Sequence, residues 1–120
     1  MKKRTVIVSI GTLDDMAQGL LDNAKKAKLG LPFDSNFRLN FYDQATLFST
    51  LSLERMELLH YLRRHKPMSD RQLARYLKRN QKNIQTDIKA MLRLDLIKIN
   101  KEGKYYVPWD DITIQLPLAA

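Results

Sequence analysis

One stretch constrains the fold more than any other: residues 69–99, SDRQLARYLKRNQKNIQTDIKAMLRLDLIKI. Ser69 with Gln72 three residues on has the spacing at which a hydroxyl and a returning amide satisfy each other's free backbone donors, so a helix starts there. Leu73, Ala74 and Leu77 form its short apolar stripe, and Lys78-Arg79-Asn80 breaks it. Asn80 suits the cap of a second helix. From there Ile84, Ile88, Met91 and Leu92 recur on one helical face. The opposite face carries Lys82, Gln85, Thr86, Lys89 and Arg93, a stripe of donors and cations. An apolar run through Leu96-Ile97 then predicts a strand.

Charge singles out the same region. The chain of 120 residues has a net charge of +8. Residues 52–104 hold 14 Lys/Arg against 6 Asp/Glu, while the rest of the chain has 7 of each. The whole excess therefore sits around the helix pair, where it would attract a polyanion by steering and by displacing condensed counterions. A basic surface without a specific partner is the plainer alternative.

The run Leu77-x-x-Asn80-x-x-Asn83-Ile84-x-x-Asp87-Ile88-x-x-Met91-x-x-x-Asp95-Leu96-Ile97 resembles the helix-turn-helix of winged-helix transcriptional regulators of the MarR/ArsR-like kind. The resemblance extends from about Ser52 to Val107. It implies that the second helix enters the DNA major groove, with Gln81, Lys82, Gln85, Thr86 and Lys89 towards the bases. Arg71, Arg75, Lys78, Arg79, Lys101 and Lys104 would hold the phosphates, positioning the protein without reading sequence. Most members of that group have Gly where Asp95 stands, which implies a left-handed or tight turn there. The ending Pro117-Leu118-Ala119-Ala120 is similar to that of small prokaryotic predicted regulators, some of which look like antitoxins encoded beside a toxin.

Upstream, residues 5–10 alternate with Val6, Val8 and Ile10 on one side and Ile7 on the other, which predicts a strand covered on both faces or by another chain. Thr12 with Asp15 predicts the next helix start. Leu13, Met16, Ala17, Leu20, Leu21 and Ala24 give it an apolar stripe. Asp14 and Asp15 at its start and Lys25, Lys26 and Lys28 at its end match the helix dipole, which accounts for the lysines without a ligand. Gly30 can close it in the left-handed conformation, and Pro32 prevents continuation. Phe37, Leu39 and Phe41 then alternate as a half-buried strand. The aromatic residues read as core rather than as a base-stacking platform, because the segment is almost neutral.

Asp43 can cap a short helix with Leu47, Phe48 and Leu51, and Ser52 the next one, with Met56, Leu59 and Leu62 as its inward edge, Leu58 beside it and Pro67 beyond its end. Arg55, Arg63, Arg64 and Lys66 on it have two readings, contact with a duplex backbone or a solvated face. Downstream, residues 97–100 and 104–107 flank Lys101-Glu102-Gly103 and read as a β-hairpin, the wing of the resemblance. No arginine stands at its tip, so phosphate contact suits it better than narrow-groove reading. Residues 112–116 alternate strictly and should join the sheet of residues 6–10 and 37–42, in the same chain or across a dimer.

Catalytic and metal chemistry find no footing. The chain has no cysteine. His60 and His65, five residues apart, stand about 140° apart around a helix, and zinc needs three or four converging ligands. No glycine-rich phosphate loop exists. We therefore expect no enzyme activity, no metal and no cofactor. No apolar run approaches the roughly 20 residues of a membrane span, and the basic start meets Gly11 and Asp14 too soon for a signal peptide. The expected location is cytoplasmic.

The expected architecture is α+β. A strand–helix–strand unit (1–42), too small to be stable alone, serves for dimerisation or partner contact. A winged helix-turn-helix (43–107) and a C-terminal strand and tail (108–120) follow. The expected activity is sequence-specific binding of double-stranded DNA by a homodimer, as a repressor and candidate antitoxin regulating its own operon, with a cognate toxin as a candidate partner. The rival expectation is a protein-interaction module, an antitoxin or adaptor, without specific DNA recognition, since fold does not fix function.

Overall fold

The computed structural model describes residues 3–11, 13–31 and 36–118. The expected cap Thr12, the helix-stopping Pro32 and the tail residues Ala119 and Ala120 lie outside them, as do the side chains of residues 13–16 with their expected acidic helix start. The protein is a mixed α/β chain that divides into two compact units, residues 1–49 with 111–120, and residues 50–110.

In the first unit, β1 (Thr5–Ile10), α1 (Leu13–Lys28), β2 (Phe37–Phe41) and α2 (Gln44–Thr50) follow one another. The strand at Asp111–Gln115, labelled β5 here because it is last in the chain, returns to complete a three-stranded sheet of order β2-β1-β5. All pairings are parallel. A parallel neighbour cannot be reached by a tight turn, so the chain needs a crossover, which α1 supplies between β1 and β2. The C-terminal strand therefore joins the sheet within the same chain.

Register decides which side chains share a face. Val6 lies opposite Phe37 and Ile112, and Val8 opposite Leu39 and Ile114. Partners at one register position point the same way, which gathers the apolar residues on one side. Val6 and Val8 are fully buried, while Ile7 on the other side is half-buried. On that other side Ser9 Oγ donates to Asn40 Oδ1 at 3.2 Å, and Asn40 Nδ2 donates to the Gly11 carbonyl at 2.9 Å.

α1 leaves apolar side chains uncovered. The helix forms where its spacing predicts, and Gly30 (φ 72°) closes it with bonds from Gly30 N–H to Ala27 O and Leu31 N–H to Lys26 O. Among the described residues of its apolar stripe, Leu20 is 70% and Leu21 56% exposed, and Ala17 and Ala24 are exposed as well. Helical periodicity reports which face is apolar, not whether the chain supplies something to cover it.

The second unit holds α3 (Leu53–Arg64), α4 (Asp70–Leu77), α5 (Gln81–Arg93) and a hairpin of β3 (Lys98–Ile99) and β4 (Tyr105–Tyr106). Each helix begins at the residue whose side chain can take its free N–H groups. Ser52 accepts from Arg55 N, and Asn80 Oδ1 accepts from Lys82 N and Asn83 N. Ser69 and Gln72 close the reciprocal box, with Gln72 N donating to Ser69 Oγ and Ser69 N to Gln72 Oε1. Such caps each contribute about 1 kcal/mol.

Leu58, Leu59 and Leu62 of α3, Leu73 of α4, and Ile84, Ile88 and Met91 of α5 are buried, followed by Leu96 and Ile97. Fully burying a side chain of that size contributes about 1.5–3 kcal/mol. Met68 bridges to Tyr105 through both backbone hydrogen bonds, 3.1 and 2.8 Å, tying the α3–α4 connection to the hairpin. The hairpin turn is held by Asn100 Oδ1, which accepts from Glu102 N and Lys104 N, and Gly103 (φ 78°) takes the left-handed position that a side chain would resist.

Candidate nucleic-acid interface

The geometry around α4 and α5 follows from their junction. Lys78 ends α4 in the left-handed conformation (φ 54°), its N–H bonded to Ala74 O and Arg75 O. Asn80 returns to extended backbone and caps α5 within two residues. A second left-handed residue, Asp95 (φ 59°), turns the chain out of α5 as expected. Its carboxylate pairs with Lys98 at 3.2 Å, and its carbonyl accepts from Trp109 Nε1 at 2.8 Å.

The inner side of α5 holds one charged group among its apolar residues. Asp87 is buried between two guanidinium groups, with Arg55 Nε at 2.9 Å from one carboxylate oxygen and Arg79 Nη2 at 2.6 Å from the other. Arg79 also reaches Glu54 at 3.3 Å, and Arg55 donates to Thr50 O at 3.0 Å. The result ties α3, the α4–α5 junction and α5 together. Two cations on one buried carboxylate offset much of the desolvation cost that an unpaired charge would carry.

This corrects the placement of Arg79, expected on the outer surface as a phosphate contact. Its side chain is only 20% exposed and is committed to Asp87. Arg55 is withdrawn in the same way, and Arg63 pairs with Asp110. Asp87 itself was legible in part. It stands three residues after Ile84 and four before Met91, so an acid falls within the apolar stripe of a strongly basic region, and a buried acid there needs a cationic partner. Which arginines answer it depends on contacts distant in sequence.

The outer side of α5 exposes Gln81, Lys82, Gln85, Thr86, Lys89 and Arg93. Arg71, Arg75 and Lys78 are exposed on and after α4, Lys101 is exposed at the hairpin turn, and Lys104 is half-buried with Glu102 at 3.9 Å. Both glutamines are engaged: Gln85 Nε2 donates to Asp70 Oδ2 at 2.7 Å and Gln81 Nε2 to the same oxygen at 3.4 Å. The bond from Gln85 is the main reason Asp70 is held below the usual carboxylate range. Thr86 Oγ1 donates back to the Lys82 carbonyl at 3.1 Å.

The sequence model of the HVO_A0114 family matches residues 50–114, more than half of the chain. The chain belongs to the HVO_A0114 family. The span matched by the HVO_A0114 model takes in α3, α4, α5, the hairpin and most of β5. No curated protein and no solved structure matches the chain. Among the described residues, no group of three or more His, Asp or Glu side chains is placed to hold a metal ion, and no helix is long and apolar enough to cross a membrane.

Proposed function

We propose that this protein is a sequence-specific double-stranded-DNA-binding regulator, in which residues 50–110 act as a winged helix-turn-helix. It works as a homodimeric repressor and is a candidate antitoxin controlling its own operon. The observation that carries the proposal is the distribution of charge over α5 and its neighbours. The entire +8 excess lies within residues 52–104. The inner side of α5 is core and brace, whereas its outer side exposes cations and amides. In this reading α5 lies in the major groove, Lys82, Gln85, Thr86 and Lys89 approach the bases, and Arg71, Arg75, Lys78 and Lys101 contact phosphates. Two copies would meet half-sites about 34 Å apart.

The test is fluorescence anisotropy with the DNA upstream of the protein's own gene and with an unrelated duplex, at two salt concentrations. Preferential binding of the upstream duplex that persists at the higher salt is expected. Removing Arg75 or Lys78 should flatten the salt dependence by about one phosphate contact each. No binding to either duplex at low salt overturns the proposal.

A second reading, a protein-interaction module, is favoured by one observation, the exposed leucines on α1 and just after it, Leu20, Leu21, Leu29 and Leu31. It predicts a stoichiometric protein complex that survives salt and is lost when Leu20 and Leu21 become polar.

A further inference from the structure

Of the two glutamines on the outer side of α5, Gln85 is held the more closely by an acid from another helix. Asp70 opens α4, and its two oxygens have separate tasks. Oδ1 accepts from the Arg71 N–H at 2.9 Å, and Oδ2 accepts from Gln85 Nε2 at 2.7 Å and from Gln81 Nε2 at 3.4 Å. An ionised carboxylate only accepts hydrogen bonds, so the amide nitrogen must face Asp70 and the amide oxygen must face away. Asp70 stays ionised at neutral pH, since its pKa is held below 3.8, first by the Gln85 bond.

We infer that Asp70 is a positioning residue that sets the amide of Gln85 in one orientation and thereby makes it select adenine over guanine. The inference rests on the DNA-binding reading. With one N–H given to Asp70, Gln85 still has a second N–H for a base acceptor and its Oε1 for a base donor. Adenine offers that pair in the major groove, N7 as acceptor and the N6 amino group as donor. Guanine offers two acceptors, N7 and O6, so its O6 would face the Gln85 oxygen and be repelled. An unclamped amide could rotate to give both N–H groups to guanine. The same carboxylate also repels nearby phosphates, so Asp70 exchanges general affinity for discrimination.

The experiment selects duplexes from a randomised library with the wild-type chain, Gln85→Ala, Asp70→Ala and Asp70→Asn, after thermal melting has shown each to be folded. Gln85→Ala marks the position that Gln85 reads. Asp70→Ala should lower the adenine preference there by about fivefold or more, leave preferences elsewhere in place, and tighten binding to unrelated duplexes. Asp70→Asn should retain part of the preference, because its amide oxygen still accepts from Gln85. Equal changes in both Asp70 variants, spread over every position, would make Asp70 a plain charge and overturn the inference while leaving DNA recognition standing. A wild-type chain that selects no sequence overturns the DNA reading and this inference together. Side-chain amide NMR of the free protein checks the clamp without DNA: the Gln85 NH2 signals should shift in Asp70→Ala, and unchanged signals overturn the clamp.

Discussion

Along α5 the apolar residues Ile84, Ile88 and Met91 are all buried, whereas along α1 Leu20 and Leu21 stand 70% and 56% exposed. Both helices carry apolar residues at helical spacing, with polar and charged residues opposite. One finds its cover within the chain and adds a buried acid to the same face. The other forms with Leu20 and Leu21 in solvent. Amphipathic spacing is therefore evidence for a helix and for a face that needs covering, and only the tertiary structure says whether that need is met.

Stability measurements can break this contrast, beginning with the brace. Asp87→Ala leaves two largely buried guanidinium groups without their shared carboxylate and should lower unfolding stability by about 3 kcal/mol in urea melts. A loss within ~0.5 kcal/mol would mean that the arginines find solvent easily and the brace is slack. Ile88→Ala should cost about 2–5 kcal/mol. Its counterpart on α1, Leu20→Ala, should stay within about 0.5 kcal/mol, as surface changes do. If Leu20→Ala costs as much as Ile88→Ala, α1 is covered in solution, and sedimentation would show whether a second copy covers it.

Lys78→Gly is expected to raise stability by about 0.5–1 kcal/mol. Relief of the left-handed lysine outweighs the extra freedom that glycine gives the unfolded chain. Because Lys78 is also a proposed phosphate contact, the same change should weaken DNA binding, so stability and affinity should move in opposite directions. The smallest effect concerns pH. Asp70 has a folded pKa lowered from 3.8, so its contribution is present above that value and is lost as the pH falls through the lowered one. The stability difference between wild type and Asp70→Ala should be flat down to about pH 5 and shrink only in stronger acid.

Much of the second unit was legible because its signals are local. Ser52, Ser69 and Asn80 stand at helix starts and Gly103 serves the hairpin turn, whereas the left-handed turn at Asp95 was implied by the resemblance alone. Arg79 was not legible, since composition shows a cation but not the direction its side chain takes. The left-handed Lys78 was equally hidden, because lysine carries no turn signal. The boundary also differs: residues 43–49 fall with the first unit rather than with the helices that follow, and residues 108–110 with the second. Alternation in residues 112–116 announced a strand, but nothing local could name β1 as its parallel partner.

That pairing has a consequence for the order of assembly. Ile7 pairs with Arg38 on one side and with Thr113 on the other. The second partnership closes a chain segment more than three times longer, which costs roughly 1 kcal/mol more in loop entropy for an unstructured chain. On a ribosome β1 and β2 are available together early, while β5 emerges only after the whole of residues 50–110 has been made. Closing β1 on β2 is thus the cheaper step, and where it comes first it leaves the β5 side of β1 as an open edge. Until β5 docks, that edge is the part of the molecule most exposed to pairing with the wrong chain.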